Sequence, residues 1–296
     1  MFSPSFNIFY LMRLVGRNYF KNYGAIFTDF FLPLIIITIL FNLLPTENMN
    51  TIGFMLPGAL LMPIASSCFI SFSIGFSEWK QSILAKKIHI SKISLWEFFA
   101  VFIIFFTLVS FFSFGFVLCY VILLEQAGLE SLKGTTNHLS KIKWELAILA
   151  IFLLILITNG LGFLFTSLTN KTQVVLALTL TLFIVQAFML GNYLPLNMVV
   201  HKKAMKFASF FLPFYAPTRM FQVVWLSDLS INESTSELFI QDWKVVTNFI
   251  IIATKPIIRT TVHFHKSYWS LVLLSFGWIL TTILLSLYFN KKQKFA

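Results

Sequence analysis

Charge is what this chain has least of. Charged residues fill 11% of its 296 positions, about half the share of an ordinary soluble domain. Apolar residues fill 58%, and a core of that size cannot be covered by so little charge, which excludes a soluble globular fold. Both cysteines, Cys68 and Cys119, lie within apolar runs, which argues against a disulfide framework or zinc site and makes them packing residues. The sequence contains no G-x-x-x-x-G-K-[ST] and no H-E-x-x-H, so it encodes neither a P-loop nor that zinc motif. Its N-terminus lacks the order of a cleaved signal peptide, and the first apolar run is expected to be retained.

What charge there is sums to +11. The basic residues cluster at the ends of apolar runs, where they anchor helices and set orientation, and are not interleaved with exposed aromatics as in a nucleic-acid groove. Nucleic acid is therefore not an expected partner, whereas membrane lipid is.

Six runs are long enough to cross a bilayer, at 25–44, 52–76, 98–124, 146–168, 174–195 and 268–289; a crossing takes about 20 residues. Backbone groups in lipid must pair within their own segment, so the spans are helices and the fold class is all-α integral membrane. Pro33, Pro57 and Pro63 are expected to kink the first two spans, because each removes a helical donor. Arg13, Arg17 and Lys21 precede the first span, and Lys80, Lys86, Lys87 and Lys92 follow the second. That bias predicts a multi-pass protein of the plasma membrane with both termini in the cytoplasm. The richness in Phe, Ile, Asn and Lys points to an AT-rich bacterial genome.

No internal repeat divides the chain, so 1–296 is expected to form a single membrane domain. Residues 6–24 read as an amphipathic helix lying on the membrane. Ile8, Leu11, Val15, Tyr19 and Tyr23 form its apolar stripe, and Arg13, Arg17 and Lys21 its opposite, membrane-surface side. Residues 77–95 form a charged cytoplasmic loop that is longer than a turn requires. On a helix Trp79, Ile83, Lys86, Lys87 and Ile90 fall near one side, with Glu78, Gln81, Ser82 and His89 around the rest. The region 196–267 is extracellular by the same charge rule. Its stretch 207–226, interrupted by Pro213, Pro217 and Arg219, is expected to be re-entrant or interfacial rather than a seventh span, as is 245–253.

Within the spans Asp29 is the only charged residue. Lying near the start of its span, it reads as interfacial or snorkelling rather than as part of an ion pathway. Ser66, Ser67, Ser71, Ser73, Ser110, Ser113, Thr158, Asn159, Thr179, Thr181 and Gln186 are expected to bond helix to helix. "NGLGF" at 159–163 would permit close helix approach or, alternatively, line an amphiphilic path. His263 and His265 have no evident third ligand, His89 and His201 stand among lysines, and His138 occupies a polar outer loop with no obvious base or nucleophile partner.

The plan resembles the membrane subunits of type-2 ATP-binding-cassette transporters, most of which are exporters. Those permeases have a cytoplasmic amphipathic helix, six spans, a charged loop after span 2 and short outer helices between spans 5 and 6. Locally, the loop opens on Glu78, carries Gln81-Ser82-Ile83 where the family tends to Gly-Thr-Leu, then Lys86 and Lys87, and "HIS" at 89–91 where the family has Pro-Ile-Ser. "LGNYLPLN", 190–197, is similar to the family's end of span 5, and "FFLPFYAPTRMF", 210–221, to its pair of spaced prolines leading to an arginine.

The resemblance implies that the loop is a coupling helix seated on an ATP-binding subunit, with Glu78, Trp79, Gln81, Ser82, Ile83, Lys86, Lys87 and His89 at the contact. Trp79 and Ile83 would plug a groove, and the lysines would pair with acids. It further implies two ATPase subunits that carry the ATP and Mg, a second permease copy or paralogue, no enzymatic activity or cofactor in this chain, and export of an amphiphile such as a lipid, drug or peptide. The alternatives are an ion- or proton-coupled secondary transporter and a membrane-embedded enzyme.

Overall fold

The computed structural model describes residues 4–43, 55–81, 95–169, 171–190, 192, 208–209, 211–226 and 264–292. Among them the chain is helical, without strands. Six helices are long and apolar enough to cross a membrane: span 1, Tyr23–Asn42; span 2, Leu56–Gln81; span 3, Phe98–Gln126; span 4, Trp144–Leu168; span 5, Thr172–Met189; and span 6, Leu271–Phe289. The protein is an all-α, multi-pass membrane protein.

Span 2 is the hub. In its most apolar window 89% of residues are buried, against 22% to 67% in the other spans. Spans 1, 3, 4 and 5 pack around it. Small side chains allow this: Gly58, Ala59, Ala65, Ser66, Ser67, Ser71, Ser73 and Ser77 are all buried along it, and small residues let helix backbones approach closely in lipid. The phenylalanines divide by position. Phe72, Phe76, Phe98, Phe99, Phe102, Phe106 and Phe163 form a continuous buried cluster of rings joining spans 2, 3 and 4. Phe112, Phe116 and Phe276 face outward.

"NGLGF" is a packing device. A Cβ at Gly160 would lie 2.8 Å from Thr282 Oγ1 of span 6, and one at Gly162 would lie 2.6 Å from Ser73 Oγ and 2.8 Å from Phe72 Cδ1 of span 2. Span 4 therefore touches two neighbours at positions that only glycine fits.

The prolines act differently from one another. Pro57 falls in the first turn of its helix, where the missing donor has no partner to lose, so it does not kink span 2 as expected. Pro33 and Pro63 lie inside helices, and each is accompanied by a π-helical stretch, Phe27–Phe31 before the first and Ser66–Ser71 after the second.

The N-terminal helix α1, Pro4–Lys21, has the expected amphipathic pattern but a different neighbour. Leu11, Val15 and Tyr19 are buried, whereas Ile8 and Tyr23, at the ends of the stripe, are exposed. The buried part packs against span 3, with the Tyr19 ring edge-on to Phe105 and Phe106 at 5.5 and 5.8 Å. The middle of the stripe, Leu11, Val15 and Tyr19, is thus covered by protein rather than by acyl chains. Arg13, Arg17 and Lys21 are exposed with Phe9, Tyr10 and Phe20.

At the opposite end of span 3 a compact turn closes the bundle. Gly128 and Gly134 take φ of 90° and 94°, the left-handed region that glycine enters without penalty. Glu125 accepts from Gly134 N and Thr136 N at 2.8 Å each, and Ser131 Oγ donates to Phe41 O of span 1 at 3.1 Å. His138 of this turn is buried, edge-on to Trp225 at 5.1 Å.

A further helix, α2, Tyr215–Leu226, packs against spans 2, 4 and 6. Its 12 residues rise only about 18 Å, short of a bilayer core. The stretch 245–253 lies outside the described residues.

Candidate functional site: the polar seam of span 2 and its charged end

The seam begins where two helical irregularities meet. Pro33 has no N–H, so the carbonyl four residues earlier, that of Asp29, loses its helical donor. Ser113 Oγ of span 3 donates to that carbonyl instead. The same local widening turns the Asp29 side chain inward, where it is fully buried. Tyr19 Oη of α1 donates to Asp29 Oδ2 at 2.7 Å and Ser71 Oγ of span 2 donates to Oδ1 at 2.7 Å. Burial, then the neighbouring Asp29 carboxyl, hold the Tyr19 phenol well above its ordinary pKa, so it remains a donor at any physiological pH.

Asp29 is therefore enclosed by protein rather than snorkelling towards solvent. Ser71 stands ten residues before Gln81, the end of span 2, which places the carboxyl about 15 Å from that end. One buried acid ties α1, span 1, span 2 and, through its backbone, span 3. The sequence signal was Pro33 itself, four residues after Asp29, which marks a carbonyl in need of an outside donor.

Further along span 2, Ser67 and Cys68 both contact Ser110 of span 3, the thiol at 2.7 Å, and Thr158 and Asn159 of span 4 lie beside the thiol. Cys68 is thus a seam residue, whereas Cys119 is exposed and not a packing residue. Of the mid-span polar groups, Ser67, Ser71, Ser110 and Ser113 bond between helices as expected. Ser66, Ser73, Thr158, Thr179 and Thr181 instead donate to carbonyls of their own helix. Among the described residues the buried amide of Gln186 has no hydrogen-bond partner, and that of Asn159 has only the Cys68 thiol beside it.

The charged end of span 2 is tied to the turn between spans 4 and 5. Lys80 Nζ donates to Thr166 O at 2.8 Å, where a cation suits the C-terminal carbonyls of a helix. Gln81 Nε2 donates to Thr172 Oγ1 at 2.9 Å, and Ser77 Oγ meets the same hydroxyl at 3.1 Å. The helix runs unbroken to Gln81, five residues beyond the sequence boundary at 76, so 77–81 belong to the span. Glu78 and Gln81 are exposed. Trp79 is buried, stacked on Phe98 of span 3 with ring centroids 3.6 Å apart. This corrects its reading as a protruding plug: an indole in contact with Phe76 and Phe98 is internal packing of spans 2 and 3. Ser82, Ile83, Lys86, Lys87 and His89 lie outside the described residues, as do His201, His263 and His265.

Among the described residues no group of three or more His, Cys, Asp or Glu converges as a metal site would require. Instead a stiff, small-faced helix carries a charged end, held by hydrogen bonds to the neighbouring turn and by ring stacking to span 3. Compared with protein-family models, curated proteins and solved structures, the chain has no match.

Proposed function

We propose that this chain is the membrane subunit of an ATP-driven exporter of the type-2 ATP-binding-cassette kind, working as a pair with a second copy or paralogue. ATP and Mg would be bound by two separate subunits that grip the connector 82–94 between spans 2 and 3. One observation carries the reading: the connector grows directly out of the most buried helix, whose last turn is also fastened to the span 4–5 turn. A push on it would move span 2 as a rod and draw spans 4 and 5 with it. The π-helical stretches at 27–31 and 66–71, joined by the Asp29–Ser71 bond, are where such a rod could change its pitch.

In this proposal both termini, α1 and the connector face the cytoplasm, and α2 is a re-entrant helix of the outer side. The chain performs no chemistry; its substrate would be an amphiphile. The experiment is capture of the full chain from its native membrane. A P-loop ATPase should accompany it, should be lost in the double variant Lys86→Glu/Lys87→Glu, and should supply all ATP hydrolysis of the complex. Retention of the companion by that variant would sink the coupling role.

Asp29 supports a second reading, an ion- or proton-coupled carrier, because a fully buried carboxyl between three helices is where such carriers hold their ion. Transport in sealed vesicles driven by an ion gradient without ATP would establish it.

A further inference from the structure

Buried polar atoms in a folded protein nearly always have partners, so a cluster of them without partners asks what is missing. Among the described residues several such atoms lie on α2 and on the end of span 5 that is hydrogen-bonded to it. The start of α2 lies deep in the bundle: the ring of Phe214 is 5.3 Å from that of Phe69, thirteen residues into span 2. Its end reaches the closing turn through Trp225 and His138. Arg219, between them, is 3% exposed.

Its Nη1 donates to Gln222 Oε1 at 3.0 Å, Gln222 Nε2 donates to Leu190 O of the span 5 end at 2.9 Å, and the guanidinium lies 5.5 Å from the Tyr215 ring centre. Among the described residues Nε and Nη2 have no partner. They are the two donors with which arginine grips a carboxylate or phosphate side-on. One turn back from the Gln222–Leu190 bond on span 5 stands Gln186, both of whose amide atoms are unpartnered among the described residues, as are Thr218 Oγ1 and, beyond Leu190, Asn192 Oδ1. Among the described residues no carboxylate pairs with Arg219.

A desolvated cation with a free side-on fork requires an anion that accepts two hydrogen bonds. The surroundings require that anion to carry apolar substance, because Met220, Phe221 and Trp225 are buried on the same helix and Phe114 of span 3 meets Phe221 at 6.1 Å. We infer that Arg219, with Gln186, Thr218 and Gln222, holds the anionic headgroup, phosphate or carboxylate, of a membrane amphiphile. The headgroup would bind side-on to Nε and Nη2, with the tail among the aromatics of α2. This deepens the transport reading, on which calling that amphiphile the substrate rests. It narrows the substrate class to anionic amphiphiles.

The test needs no ATPase, so its failure is distinguishable from failure of the transport reading. The full chain in a zwitterionic detergent is titrated with short-chain phosphatidylglycerol, short-chain phosphatidylcholine and inorganic phosphate, with thermal melting as the readout. The wild type is expected to bind the glycerol lipid about tenfold or more tightly than the choline lipid. Arg219→Gln should abolish that preference, Arg219→Lys should keep part of it, and Gln186→Leu, which leaves the arginine in place, should weaken it. An undiminished preference in Arg219→Gln and Gln186→Leu would overturn the site. Inorganic phosphate stabilising the wild type as well as the glycerol lipid does would overturn the amphiphile in favour of a free anion. A wild type without anion preference that acquires one on replacing Asp228 or Glu233 by its amide would assign the fork to an internal acid and overturn the inference.

Discussion

Replacing Tyr19 by Phe deletes a single atom from the node that joins α1 to the spans. The ring contacts with Phe20, Phe105 and Phe106, at 5.4, 5.5 and 5.8 Å, survive the change. What goes is the 2.7 Å hydrogen bond to Asp29 Oδ2, which leaves that oxygen without a donor in a fully buried residue. Loss of a bond to a charged acceptor costs about 1.5–3 kcal/mol, and to a neutral one about 0.5–1.5 kcal/mol. Equilibrium unfolding in mixed micelles should therefore show Tyr19→Phe destabilised by about 1–3 kcal/mol. Tyr23→Phe, at an exposed position, should stay within about 0.5 kcal/mol of wild type. Ser71→Ala removes the other strong donor to the same carboxyl, so the double variant should be non-additive. Hydrogen exchange should rise across 4–21 in Tyr19→Phe, because α1 loses the Tyr19 hydrogen bond to Asp29. A Tyr19→Phe protein as stable as wild type, with α1 equally protected, would refute the node as the fastening of that helix.

Two further substitutions test the packing of the hub. Gly162→Ala forces a methyl against Ser73 and the enclosed Phe72 ring and should cost about 1–3 kcal/mol, whereas Gly115→Ala, with nothing within 4 Å, should be neutral or stabilising in the same melting assay. Trp79→Ala should destabilise the isolated chain by about 3–5 kcal/mol as a large-to-small core change. An unaffected melting point would mean that the Phe98 stack is not formed and would restore Trp79 as a protruding contact.

The six spans were legible because lipid imposes a length and an apolarity that nothing else in a sequence imitates, and four of the six needed shifts of no more than three residues at either end. Span 5 ends at Met189 rather than at 195, and span 2 differs at both ends. Its last turn, Ser77 to Gln81, looks like loop because it is polar. It is helical because Lys80, Gln81 and Ser77 satisfy the span 4–5 turn, a tertiary fact with no local signature. The enclosure of Asp29 was hidden for a related reason: counting residues from the start of span 1 measures position along one helix, while burial is set by the partners, Ser71 and Ser113, on two others. Trp79 and His138 look like surface residues beside charged neighbours, and only their ring partners, Phe98 and Trp225, reveal them as interior. Arg219 was noticed for its prolines, not for its burial, since nothing in one sequence tells which face of a 12-residue helix is enclosed.

A photo-reactive amino acid placed at Gln81, the last described residue of span 2, and in separate variants at Ile83 and Lys87, tests the proposed lever most directly. In native membranes irradiation should join each of these positions to one nucleotide-hydrolysing protein, with a yield that changes when a non-hydrolysable ATP analogue is added. Adducts with lipid alone, or yields indifferent to nucleotide, would contradict the account.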